Sequence, residues 1–172
     1  MKMKKMMTIV AMLACVTLVQ AQSKFHDVEA NEAKGPVKSI TTSMMGMTQT
    51  ITFDENGKMT SGNMSDAVYD ANGYLQSATM DMQGQGTAVK FTWENGHLKT
   101  QTMNMMGQEV KTIFNYNADG VATSVTLDMG GGQTMDMPYS NIKLDDHGNW
   151  ISRSASMMAQ EMTFTRTIEY FQ

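Results

Sequence analysis

Cysteine is almost missing from this chain. Its one copy among 172 residues is Cys15. A lone cysteine excludes an internal disulfide and any zinc site built on several thiolates. Proline is nearly as scarce, with only Pro36 and Pro138. Long apolar runs are limited to one, Met6 to Val19, which is too short for a comfortable membrane span. No stretch beyond it repeats with a helical period. Positive charge is also in short supply, with 13 Lys and Arg against 17 Asp and Glu. That balance argues against nucleic acid as a partner, because phosphate affinity comes from Lys and Arg.

The N-terminus reads as an export signal over residues 1–21. Lys2, Lys4 and Lys5 form the positive region, Met6 to Val19 the apolar region, and Val19-Gln20-Ala21 the small-residue cleavage site. The alternative is a lipoprotein anchored through Cys15, with Leu13-Ala14-Cys15 as the lipidation box. The apolar run continues past Cys15 through Val16, Leu18 and Val19, which favours cleavage. Export places the product in the periplasm or outside the cell. Losing three lysines takes the net charge from −4 to −7 and removes the only cysteine. Residues 22–36 then form a polar leader with room for one helical turn before Gly35-Pro36.

A short pattern recurs through residues 37–172: an apolar residue, an acid or amide, one or two residues, glycine, and an apolar residue. It reads Phe53-Asp54-Glu55-Asn56-Gly57-Lys58-Met59, then Tyr69-Asp70-Ala71-Asn72-Gly73-Tyr74-Leu75. It returns as Trp93-Glu94-Asn95-Gly96-His97-Leu98, Tyr116-Asn117-Ala118-Asp119-Gly120-Val121 and Leu144-Asp145-Asp146-His147-Gly148-Asn149-Trp150. Asn-Gly and Asp-Gly favour hairpin turns because both residue types tolerate positive φ. Glu94-Asn95-Gly96 is one residue shorter and predicts a tighter loop. A second set of turns alternates with the first, at Met44–Met47, Asp81–Gly84, Asn104–Gly107, Asp128–Gly131 and Ser156–Ala159. Between turns, apolar residues alternate with polar ones, as in Val89, Phe91 and Trp93 against Lys90 and Thr92. The reading is all-β: an antiparallel meander of about ten to twelve strands built from β-hairpin repeats. A single sheet that wide must twist strongly, curl, or partly close. All Asn-Gly turns then lie along one end and all Met-Gly turns along the other, with the aromatic face concave and packed. Pro36 and Pro138 are expected at strand beginnings or edges.

Tyr69-Asp70-Ala71-Asn72-Gly73-Tyr74-Leu75 resembles one unit of the YD-repeat (Rhs) family, with Tyr74 where that family has a basic residue. Asp145-Asp146-His147-Gly148-Asn149-Trp150, Arg153 and Arg166-Thr167-Ile168-Glu169-Tyr170-Phe171 resemble the close of YD-repeat-like exported proteins of Bacteroidetes. The resemblance covers roughly residues 37–171 and implies an exported β-repeat protein. Full Rhs proteins enclose toxins in large β-shells; five units are too few for that role.

Methionine is the compositional outlier. Five of 21 fall within residues 1–21, and most of the remaining 16 group at the second set of turns. In a strand, Met-x-Met places both thioethers on one face. The pairs Met80/Met82, Met103/Met105 and Met135/Met137, on one end of neighbouring strands, would line a thioether patch suited to Cu(I). The simpler reading is adaptable apolar packing or a partner surface. Asn115–Gly120 imitates the start of a calcium loop, but Thr126 stands where a bidentate Glu belongs, so it reads as a hairpin. Gly130-Gly131-Gly132 lacks the Lys-Ser/Thr of a phosphate loop. His26, His97 and His147 read as solvated leader and turn residues, and Arg153 and Arg166 as a structural cation–π cluster with Trp150 and Tyr170. No catalytic constellation is apparent, which makes a hydrolase the least favoured class. The expectation is an exported, non-enzymatic β-repeat binding or scaffold protein of the Gram-negative envelope without a cofactor, its partner a protein, glycan or envelope component. The alternative is periplasmic Cu(I) handling on the Met-rich rim, with copper as the cofactor.

Overall fold

The computed structural model describes residues 24–82, 84–105, 107–157 and 160–172. The expected signal over 1–21, with Cys15 and its cleavage site, lies outside them. So do Gln22, Ser23, Gln83, Met106, Met158 and Ala159. One helical turn, α1 (Asp27–Ala30), precedes twelve strands. These are β1 (Val37–Met44), β2 (Met47–Phe53), β3 (Met59–Ser61), β4 (Met64–Tyr69), β5 (Leu75–Met82) and β6 (Gln85–Glu94). They continue as β7 (His97–Met105), β8 (Gln108–Tyr116), β9 (Ala122–Asp128), β10 (Thr134–Leu144), β11 (Trp150–Met157) and β12 (Gln160–Tyr170). All twelve form one antiparallel sheet that nearly closes into a barrel.

The order is β3-β2-β1-β12-β11-β10-β9-β8-β7-β6-β5-β4. β4 to β12 form an uninterrupted meander. The simple meander breaks once, because β1 pairs with β12 (Ile40 opposite Ile168, Met44 opposite Phe164). The two sheet edges, β3 and β4, are therefore consecutive in the chain and joined only through Gly62 and Asn63. They share no ladder. Both edges are poor templates for a foreign strand. β3 has three residues, and β4 carries a register shift at Asp66, whose φ is 51°.

The repeat owes its form to its acid or amide. Asp54 Oδ1 accepts the backbone N–H groups of Asn56 (2.9 Å) and Lys58 (3.0 Å). Asp70 does the same for Asn72 and Tyr74, Asn117 for Asp119 and Val121, and Asp145 for His147 and Asn149. One side-chain oxygen thus satisfies two loop donors that the sheet cannot. In the calcium-like segment, Asn117 serves this turn. The shorter Glu94-Asn95-Gly96-His97 turn needs no such acceptor. Asn95 and Gly96 have φ of 53° and 79°, the two-residue hairpin whose twist matches its strands. Met45 and Gly46 make the same turn at the opposite end (φ 50° and 79°).

Alternation sorts the faces. Val28, Ala33, Val37, Ile40 and Phe53 form one inner cluster; Leu75, Ala78, Val89, Phe91 and Leu98 form a second. Each fully buried Leu or Val contributes about 1.5–3 kcal/mol. Neighbouring repeats are locked by aromatic donors: Trp93 Nε1 to Leu75 O (2.7 Å) and the Tyr116 hydroxyl to Leu98 O (2.9 Å). The outer face carries hydroxyl pairs such as Thr41–Thr50 and Thr92–Thr100. Pro36 immediately precedes β1. Pro138, expected at an edge or a strand start, lies instead inside the internal strand β10. It is the last position of the ladder with β9, opposite Ser124, where a missing donor does least harm.

Replacing Asp70 with Ala removes the acceptor for two amides. Asp70→Ala is expected to cost about 1–2 kcal/mol in urea denaturation, and Asp70→Asn, which keeps a carbonyl oxygen there, less than half as much.

Candidate functional site

The two ends of the barrel differ in what fills them. At the Asn-Gly end the interior holds the leader. The Phe25 N–H donates to Asn56 O (2.9 Å) in the β2–β3 loop, and the His26 N–H to Gly73 O (3.0 Å) in the β4–β5 loop. A Cβ on Gly73 would stand 1.8 Å from Lys24 O, so only glycine lets the leader cross there. The leader therefore ties together the hairpins on either side of the open seam.

Asp27 completes that tie. It is fully buried, and its Oδ2 accepts both the Met59 N–H of β3 and the Tyr69 hydroxyl of β4, each at 2.7 Å. One carboxylate oxygen spans two edges that share no ladder. Burial raises the Asp27 pKa above its ordinary 3.8, against the opposing effect of the hydrogen bonds from Met59 and Tyr69. Burial together with Asp27 also keeps the Tyr69 hydroxyl protonated well beyond its ordinary range. His26 is buried (rather than solvated) and stacks on Tyr74 at 3.8 Å between centroids. His97 stacks on Tyr116 and His147 on Tyr170.

The far end of the leader is gripped by two arginines. Arg166 donates to Asn31 O (2.9 Å), Glu32 O (2.6 Å) and Trp150 O (2.6 Å). Burial pushes its pKa down to about 9, which leaves it cationic at neutral pH. Arg153 makes a bidentate pair with Glu32 (3.2 and 2.7 Å). Trp150 lies between both guanidinium groups, 3.9 Å from Arg153 and 3.7 Å from Arg166, and Tyr139 covers Arg153 at 3.6 Å. The expected cation–π cluster is present with Trp150, but Tyr139 takes the place expected of Tyr170. Tyr170 instead donates to Asp145 and accepts from Asn149 Nδ2 (2.8 Å). Asn149 also pairs with both backbone groups of Lys34, like a strand neighbour. Burial acts to raise the Asp145 pKa, but the bonds from Tyr170, Asn149 and His147 outweigh it and hold the group below 3.8. The cavity left beside the leader is about 60 Å³, lined by Glu29, Glu32, His97, Tyr116 and Trp150, room for a few waters and no organic ligand.

Among the described residues no segment fills the Met-Gly end in this way. Met64, Met80 and Met103 are half-buried against the second core cluster, and Gln101 Nε2 donates to Met80 Sδ (3.3 Å). Met135 and Met137 are half-buried opposite Leu127 and Val125. Met82 and Met105 are 39% and 42% exposed. The three Met-x-Met pairs stand on β5, β7 and β10, with other strands between them rather than on neighbouring strands. In an up-and-down sheet only every second strand runs toward a given end, and β10 runs away from it. Met45 (73%), Met47 (63%) and Met129 (48%) add to the exposed rim. Five of the seven exposed large apolar side chains among the described residues are these methionines; the others are Val68 and Leu144. The sequence signal for the rim was the grouping of Met at the second turns. The leader's role as a filling had no comparable signal.

Among the described residues no group of three or more His, Cys, Asp or Glu is placed to hold a metal, and no helix is long and apolar enough to cross a membrane. No protein-family model matches the chain, and no curated protein matches it.

The raised Asp27 pKa sets the sign of a pH effect. The unfolded chain ionises this group near 3.8 and the folded chain only at higher pH. Asp27 therefore lowers stability progressively as pH rises through that window, and by a constant amount above it. Asp27→Asn is expected to remove this fall in a pH series of urea midpoints, leaving the similar contribution of Glu29, whose pKa burial also raises. Arg153→Met strands a buried Glu32 and is expected to cost about 3–5 kcal/mol, most of it recovered by adding Glu32→Gln.

Proposed function

We propose that this chain is an exported, non-enzymatic binding or scaffold module of the cell envelope that meets its partner with the Met-Gly end. The observation that carries the reading is the exposed thioether rim: Met45, Met47, Met82, Met105 and Met129 on the turns of successive hairpins. Large contiguous apolar exposure marks interaction surfaces. Methionine suits them because its unbranched chain adapts to varied shapes. The opposite end is taken up by the chain's own leader. Its ionisable groups Asp27, Glu32, Arg153 and Arg166 are engaged in holding that leader, which supports a binding role over catalysis. The apolar stretch at Met6–Val19 behind three lysines supports export, and the Tyr69–Leu75 unit supports kinship with exported YD-repeat proteins.

Copper handling is the second reading, favoured by the exposure of several thioethers on one rim of a chain whose only cysteine is Cys15. One set of variants separates the two. Changing Met45, Met47, Met82, Met105 and Met129 to Ser is expected to shift the thermal midpoint little, because these side chains are exposed. It is expected to reduce binding of an apolar fluorescent dye at least tenfold. Unchanged dye binding would contradict the proposed surface. A Cu(I) affinity, set against a competing chelator, that falls with the same substitutions would favour the copper reading.

A further inference from the structure

The rim carries a second chemical feature. Asp81 adjoins Met82, Asp128 adjoins Met129, Asp136 lies between Met135 and Met137, Glu161 adjoins Met162, and Glu109 follows the turn after Met105. Strand alternation turns these carboxylates to the outer face and the neighbouring methionines to the inner face of the same rim. The ion pairs among the described residues, His26–Glu29, Lys38–Glu169, Lys99–Glu94 and Arg153–Glu32, use none of the five. Among the described residues, Lys90 and Lys111 are the lysines of this half. Lys111 stands opposite Asp128 in the ladder without an ion pair within 4.0 Å. The Met-Gly rim thus joins exposed thioethers to outer-face carboxylates that accept only neutral donors, such as Gly84 N–H on Asp81 and Thr126 Oγ1 on Asp136, and make no ion pair among the described residues.

At the other end the chain places its own helical turn, α1, inside the barrel, with Val28 in the first core cluster.

Resting on the proposed function, we propose that the Met-Gly end receives a cationic amphipathic helix of a protein partner. The helix lies across the rim, its apolar face on the thioethers and its Lys and Arg reaching over the edge to the carboxylates. Flexible thioethers surrounded by acids fit helices of this kind without fixing their sequence.

The test titrates the purified full chain with three labelled peptides, read by fluorescence anisotropy at low and physiological salt. The probes are a Leu/Lys amphipathic helix, its Leu/Glu counterpart, and a Leu/Lys peptide of the same composition with the apolar face scrambled. The expected result is binding of the amphipathic Leu/Lys peptide at least tenfold tighter than either control, weakened by salt. The five Met→Ser substitutions are expected to weaken it at least tenfold. So is the set Asp81→Asn, Glu109→Gln, Asp128→Asn, Asp136→Asn and Glu161→Gln, which keeps hydrogen-bond acceptors in the turns. The salt series supplies the same information with no variant at all. Equal binding of the Leu/Glu peptide, still lost in the Met→Ser variant, would overturn the cationic partner while sparing the surface. Binding that ignores the Met→Ser changes would overturn both. Rim-dependent binding to zwitterionic lipid vesicles, with no peptide bound, would overturn the proposal in favour of a lipid surface.

Discussion

A ring of twelve strands is too wide for its own side chains to fill. Eight strands leave an interior that side chains just occupy; twelve leave a wider one. Everything distinctive about this molecule follows from how each end meets that constraint. At one end the chain folds its leader into the space. A leader brings buried backbone groups with it, and each needs a partner. Arg166 supplies donors to Asn31 and Glu32, Asn149 pairs with Lys34, and the loop carbonyls of Asn56 and Gly73 receive the leader's amides.

The same filling resolves the open seam. β3 and β4 are too irregular to pair, so closure depends on contacts made from inside. Asp27 gives one oxygen to both edges, and Phe25 and His26 hold the loops beyond them. Leader docking and barrel closure are therefore one event energetically. Loosening the leader opens the seam, and disrupting the seam exposes a buried carboxylate. The cost of that arrangement is visible in Asp27, whose burial disfavours its own charge.

Much of the fold could be read from the chain because its determinants are local. A positive φ at Asn95-Gly96, an acceptor at Asp54, Asp70, Asn117 or Asp145, and alternation along β6 or β8 are written in a few adjacent residues. The all-β architecture and the polarity of the two ends follow from them. The pairing of β1 with β12 was not legible, since no local pattern records which distant strand completes a sheet. The leader's place inside the barrel is hidden for a related reason. His26 looks like a solvated residue until the barrel is known, and Glu32 gives no sign of its tie to Arg153. Trp150, Arg153 and Arg166 could be grouped because adjacent strands bring them to one face. The Met pairs could be grouped by end but not by neighbour, because strand direction alternates.

The leader's occupation of one end leaves the other as the apolar, acidic rim where we place partner binding. The most direct measurement is the rate at which each methionine oxidises in dilute peroxide, read residue by residue by mass spectrometry, since oxidation follows exposure. A barrel filled by the leader at one end and rimmed by exposed thioethers at the other predicts that Met45, Met47, Met82, Met105 and Met129 oxidise several-fold faster than Met59, Met64, Met80 and Met103. Equal rates across both groups, or protection of the rim, would contradict it.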